Sequence, residues 1–285
     1  MEMAEESEMK KVFLARVFHR ESMQGNLTGV VVCPEPPSPG DCRYIARRLG
    51  FPDTCFVWRG ESGNWIHRTF SPFEELCFCT QTLLAGAATL QEMAGPGGCS
   101  FETAVGAAVV HRDEGLYWIR QEVEAARPLE DRSVLSRLGL GEGLLAGEPA
   151  VTGGARPRLY IPLPSPDALY RLTLSPETVL KICREQGLKG LCFFAVVDGG
   201  LIALRVFTTS LGGGEDAATG GAALGLIGYH RFRSLGLSGR VRVEQGQAET
   251  EKRGCLRLRW SPASPSVWLG SPVDVLVRGT LVGSD

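Results

Sequence analysis

The chain has little charge imbalance, few histidines and no long apolar run, and each shortage closes off a class of function. Its 285 residues carry 30 lysines and arginines against 32 aspartates and glutamates, a net charge of −2. That leaves no basic footprint for nucleic acid or for an anionic membrane surface. No apolar stretch approaches the roughly 18 residues of a membrane-spanning helix. The opening MEMAEESEMKK reads as a polar tail over 1–10, with nothing of a signal peptide in it. The four histidines, His19, His67, His111 and His230, each sit alone beside arginine or aromatic residues, the setting of surface or structural imidazoles. Cys77 and Cys79 share a strand face at C-x-C spacing, but no second Cys/His pair follows at zinc spacing, so no metal is expected. LGLGEGL at 138–144 lacks the strand–GxGxxG–helix setting of a dinucleotide loop, and no cofactor is expected.

What is present points to an ordinary globular chain, 44% hydrophobic and 22% charged, with room for one large or two medium domains. Its nine cysteines are an odd number, and most lie within apolar segments such as VVVCPE, TCFVW and LCFFAVV. They read as free, reduced thiols, hence a cytoplasmic protein. Sliding the chain against itself by 137 residues, without gaps, aligns 45–90 with 182–227. Ten identities result, among them Gly50/Gly187, Cys55/Cys192, Phe56/Phe193, Arg68/Arg205, Phe70/Phe207, Thr82/Thr219 and Ala85/Ala222, against roughly three expected by chance. The offset is about half the chain, so it marks a duplicated domain and not a solenoid. We expect one half over 11–130 and a second over 131–285, with a last strand over 267–282 crossing back to the first.

Pattern gives each half a short capped helix, two strands around a polar turn, and a helix of small apolar residues. CRYIARRLG and SPETVLKICREQG are the capped helices. CTQTLLAGAATLQEMAG and ATGGAALGLIGYH are apolar on every side, as a buried helix is. The expected fold is therefore α+β, a sheet wrapped around one central helix in each half. The buried helices begin near Thr80 and Ala217 and offer free N–H groups and partial positive charge there. A carboxylate-bearing ligand would be at home at such a start, with Gly220 and Gly221 keeping the backbone accessible. The plainer alternative is that these glycines only let a sheet pack closely.

Five segments together resemble the PhzF-like isomerases, the phenazine-biosynthesis family that shares the diaminopimelate epimerase fold. GNLTGVVV (25–32) is similar to the family's GNPAAVV, and IARRLGFPDTCFV (45–57) to its A-x-x-x-x-x-SET-x-F-V. HRTFSPFEELCFCTQTLLAGA (67–87) is similar to R-x-FTP-x-x-E-x-x-x-CGHATLA. GGEDAATGGAA (213–223) is similar to EDPVTGSA, and EQG (244–246) to the family's QG. The resemblance runs nearly end to end. It implies two mostly antiparallel epimerase-like repeats with the active site between them, a homodimer, no cofactor, and a small carboxylic acid as substrate.

Carried over position by position, the family's catalytic glutamate falls on Asp53 and its aspartate on Asp216. The active-site His falls on Gln81 and the Gly before it on Thr80, while the substrate-binding Thr-Gly-Ser becomes Thr219, Gly220 and Gly221. Asn26 and Cys79 complete the implied substrate-binding set. Asp for Glu shortens the carboxyl arm by about 1.5 Å, where a misplacement near 1 Å costs roughly a hundredfold in rate. Gln81 can hydrogen-bond but cannot exchange a proton, and Gly221 loses a hydroxyl.

The expected activity is a cofactor-independent proton shift in a small unsaturated or imine-containing carboxylic acid, in a biosynthetic setting. Asp53 is the expected acid/base and Asp216 the second carboxylate. Asp53 capping a turn, and Asp216 capping a helix over 218–230, stand as structural alternatives. Glu215 is expected to pair with an arginine such as Arg205. Epimerases and racemases of this fold use two opposed cysteines. Cys79 sits at the head of the first helix, where the dipole would favour thiolate, but its partner in the repeat is Asp216, which argues against a two-thiol racemase. A degenerate homologue that binds without chemistry, and a racemase or lyase on the same scaffold, remain the rival readings.

Overall fold

Two kinds of parallel strand pairing, each needing a helical crossover, set the layout of both repeats. The structure is a computed structural model that describes residues 9–95, 97–248 and 250–282. Most of the expected polar tail, residues 1–8, lies outside the described residues. The described residues fall into two compact units. The first comprises those of Met1–His19, Asn26–Arg120 and Gly270–Asp285, the second those of Arg20–Gly25 and Gln121–Leu269.

In the first unit β1 (Lys11–Val17) and β2 (Asn26–Val32) are antiparallel. Helix α1 (Pro39–Leu49) then carries the chain over to β3 (Asp53–Arg59), which lies parallel to β2 with Thr28 opposite Asp53. Ser38 caps α1 by accepting from the Asp41 amide, and Gly50 closes it in the left-handed conformation. Its Cys42, Ile45 and Ala46 pack on Val31, Phe56 and Phe70. Antiparallel β4 (Trp65–Phe70) and the short β5 (Glu75–Leu76) follow. Helix α2 (Thr80–Ala94) then crosses to β6 (Cys99–Thr103), parallel to β4, and β7 (Gly106–Asp113) and β8 (Leu116–Glu122) extend the ladder. Every residue of α2 from Thr80 to Gln91 is buried, as its unbroken apolar composition requires.

The second unit opens with β9 (Arg127–Pro128), helix α3 (Ser133–Arg137) and β10 (Ala150–Thr152), and then repeats the same motif. β11 (Arg158–Pro162) is followed by α4 (Pro166–Tyr170) and α5 (Pro176–Glu185) and pairs in parallel with β12 (Gly190–Asp198). β13 (Leu201–Thr208) and β14 (Glu215–Asp216) are antiparallel to their predecessors. Helix α6 (Gly220–Phe232) crosses to β15 (Arg240–Gln245), parallel to β13, and β16 (Gly254–Trp260) pairs with β15. Nine residues of α6 between Gly220 and Tyr229 are buried. This is the expected α+β architecture, two sheet-and-central-helix repeats.

The repeat's register departs from the ungapped one. From Phe70 to Glu75 is five residues and from Phe207 to Glu215 is eight, yet both stretches join equivalent strands. The extra three residues lie in the Thr209–Leu211 turn and the Gly212–Gly214 run. Gly213 is at φ 86°, and a side chain there would overlap the Pro176 carbonyl, so only glycine fits. Beyond this point the repeat offset is 140, and the Thr82/Thr219 and Ala85/Ala222 identities are coincidental. Cys79 is therefore equivalent to Thr219 and not to Asp216. The C-terminal apolar stretch, read as one strand, is broken at Pro272 into β17 (Ser266–Ser271) and β18 (Val273–Thr280). β18 pairs antiparallel with β1.

Candidate functional site

The first unit gathers Asn26, Asp53, Cys79, Thr80 and Gln81 at the start of α2. Cys79 is the N-cap residue, extended at φ −145°, and its side chain makes no capping bond. Its thiol instead donates to Asp53 Oδ2 at 3.3 Å. Burial, and then the charge of Asp53, push the Cys79 thiol well above its ordinary range. The pull of the helix dipole toward thiolate is thus outweighed, and the thiol stays neutral. Thr80 is buried in the first turn. Gln81 is turned into the unit: its Oε1 accepts from Asn26 Nδ2 at 2.7 Å, and its Nε2 donates to Thr28 Oγ1 at 2.6 Å. The Gln81 amide is thus engaged by β2.

The second unit gathers Asp216, Thr219, Gly220 and Gly221 at the start of α6. Thr219 is the N-cap residue, so Asp216 is not, and the helix starts three residues later than the expected Ala217. Asp216 Oδ2 accepts from the Thr219 hydroxyl at 2.6 Å. A residue that sequence reasoning did not single out organises this end. Gln245 is fully buried. Its Oε1 accepts from the Thr219 amide at 2.9 Å, while its Nε2 donates to the Asp216 carbonyl at 2.7 Å and to Thr219 Oγ1 at 3.0 Å. Its signal was the EQG match, visible in the sequence but assigned no role there. Glu215 makes the expected pair, accepting from Arg205 Nε at 2.9 Å and Nη2 at 2.8 Å. Arg68 and Glu75 repeat it in the first unit at 2.7 and 2.6 Å.

Chemically, each helix start carries a carboxylate hydrogen-bonded by its N-cap side chain, thiol in one case and hydroxyl in the other. Comparison with known proteins gives these two ends a common context. The family model for phenazine biosynthesis-like protein matches residues 15–271. An uncharacterized isomerase of Deinococcus radiodurans is 26% identical over 280 residues, covering 91% of this chain and 84% of that protein. The crystal structure of a Bacillus anthracis phenazine biosynthesis protein of the PhzF family superposes with a TM-score of 0.79 at 18% identity, covering 96% and 99% of the two chains. A hydroxyproline epimerase from Agrobacterium vitis, with trans-4-hydroxy-L-proline bound, shares the fold at a TM-score of 0.61 and 10% identity, covering 96% and 92%. Among the described residues no helix is long and apolar enough to cross a membrane.

Proposed function

The chain belongs to the phenazine biosynthesis-like protein family, and from that premise we propose that it is an isomerase. In this reading it moves a proton within a small unsaturated or imine-containing carboxylic acid, without a cofactor. A double-bond shift takes a proton from one carbon and returns it to another, so one well-placed carboxyl group can act as base and then as acid. Asp53 is that group. The observation that carries the reading is the Cys79 thiol donating to Asp53 Oδ2 at the head of α2. A thiol held neutral by burial and by that same carboxylate orients Asp53 without competing for the proton. Asp216, fixed by the Thr219 hydroxyl, is the second carboxylate and holds the start of α6 in place. Asn26, Cys79, Thr80 and Gln81 of the first unit, and Thr219, Gly220 and Gly221 of the second, are the proposed substrate-binding residues. A step of specialised-metabolite biosynthesis, run by a cytoplasmic homodimer, belongs to the same proposal.

The test is deuterium wash-in from heavy water into candidate conjugated acids, followed by mass spectrometry. Asp53→Asn is expected to lower wash-in at least roughly a hundredfold with thermal unfolding unchanged. Full wash-in by that variant would refute the assignment. One observation favours a second reading, a protein that binds the acid without chemistry: Gln81 spends its amide on Asn26 and Thr28. Binding by the wild type with no wash-in at all would select it.

A further inference from the structure

Strand β11 turns alternate residues to opposite faces of its sheet. Leu159 and Ile161 enter the apolar cluster with Val179 and Ile182 of α5. Tyr160 points the other way, its hydroxyl donating to the Ala222 carbonyl at 3.0 Å, and a Cβ at Gly225 would overlap its ring. Arg158, two residues earlier on that face, reaches the first turn of α6. A Cβ at Gly221 would lie 3.3 Å from its Nη1 and 3.7 Å from its Nη2. Gly221 and Gly225, one helical turn apart, are what lets α6 lie on these two side chains.

Arg158 is poorly satisfied where it stands. It is 5% exposed. Among the described residues its five donors meet one acceptor, the Arg156 carbonyl at 3.0 Å from Nη1, and Nε is buried without a partner. No carboxylate among the described residues pairs with it. Beside it, the N–H groups of Gly220 and Gly221 have no acceptor among the described residues: they lie in the first turn of α6, where no helical carbonyl stands one turn back, and the helix's own ladder begins with Ala222 and Ala223 on the Thr219 carbonyl. A helix start carries roughly half a positive charge. A buried guanidinium pressed against it is unfavourable on two counts, unless an anion joins them.

We propose that Arg158 is a further carboxylate-gripping residue beside Gly220 and Gly221, already read as substrate-binding, its guanidinium supplying the donor that a hydroxyl at position 221 would otherwise give. That the bound carboxylate is the substrate's rests on the isomerase reading above. The subsite narrows the substrate class to acids presenting an ionised, planar carboxylate, which a guanidinium grips through paired N–H bonds. Neutral amides and esters of the same shape are excluded.

The probe is sorbate, a conjugated monocarboxylate, with sorbamide as its uncharged counterpart. Each is titrated by calorimetry and by amide NMR into wild type, Arg158→Met and Asp53→Asn. Sorbate is expected to bind wild type and Asp53→Asn alike, to shift the Gly220 and Gly221 amides, and to bind Arg158→Met roughly tenfold to a hundredfold more weakly. Sorbamide should bind no form. Without ligand, Arg158→Met should unfold at or above the wild-type temperature, because it removes an unpaired buried charge. A drop in that temperature would mark Arg158 as structural only. No sorbate binding by wild type, equal binding by Arg158→Met, or unmoved glycine amides would overturn the subsite. Loss of the isomerase reading shows separately, as sorbate binding without deuterium wash-in from any acid.

Discussion

At the residue scale, magnitudes decide the state of Cys79. A helix start favours a nearby negative charge by about 0.3–1 kcal/mol. Burial and the Asp53 carboxylate both work against a thiolate here, and burial alone can move a pKa by several units. The dipole loses, and the thiol becomes a donor. His67 shows the same dominance of burial. It lies between α2 and the Phe101 ring, with Nε2 buried and without a partner, and burial pushes its imidazole down to about 4. The unfolded chain binds a proton at His67 below about pH 6.5, whereas the folded chain does so only below about 4. Across that window the unfolded state holds more protons, so stability rises with pH and is lost as pH falls, by about 3 kcal/mol in all. His67→Leu should flatten that slope in urea unfolding measured at successive pH values. An unchanged slope would assign the acid sensitivity elsewhere. Asp53 and Asp216 were legible because short motifs carry them. Arg158 was not, because nothing in ARPRLY announces that a guanidinium will meet a helix start about sixty residues away by way of two glycines.

At the element scale, the duplication was legible in the strands and misread at the second helix. Identities up to Phe70/Phe207 fall within the crossover helix, strands and turns that both units share at one offset, since a pleated ladder tolerates no slip. The three residues added by Thr209–Gly214 sit in a surface turn, where insertion is tolerated, and an ungapped comparison runs straight past them. The two arginine–glutamate pairs expose the true register, because Arg68–Glu75 and Arg205–Glu215 join the same strand positions. They differ in burial. The Arg205 side chain is 7% exposed and that of Arg68 is 28%. Glu215→Gln strands a buried guanidinium, keeping only its bonds to the Leu169 and Leu172 carbonyls, and should cost about 3 kcal/mol. Glu75→Gln releases a partly solvated one and should cost about 1 kcal/mol or less. Chemical denaturation of both variants checks the difference. Equal losses would show that burial does not separate the pairs.

At the scale of the whole molecule, chain order and unit membership part company. The first unit draws on the beginning, the middle and the end of the sequence, although repeat matching alone assigns the last residues to the second half. What recruits them is β1, which has two sides to pair and fills one with β2. β18 takes the other, from Lys11 opposite Thr280 to Val17 opposite Val273, with the register shifting between Leu14 and Ala15. Polar contacts fix the join: Arg16 Nη2 donates to Asp274 Oδ2 at 2.6 Å, and the Phe18 amide to Ser271 Oγ at 2.7 Å. The sequence reading sends this strand back to the first half but does not name β1 as its partner, since pairing between ends more than 250 residues apart leaves no local signal. Deleting residues 273–285 should therefore strip β1 of one ladder and leave an open edge on the first unit. Hydrogen exchange followed by mass spectrometry should show β1 peptides approaching unprotected rates while β15 and β16, whose ladder is internal to the second unit, keep theirs. Wild-type protection of β1 in the truncated chain would mean that β2 and the α2 core hold it without β18, and that the crossing strand is dispensable to the first unit.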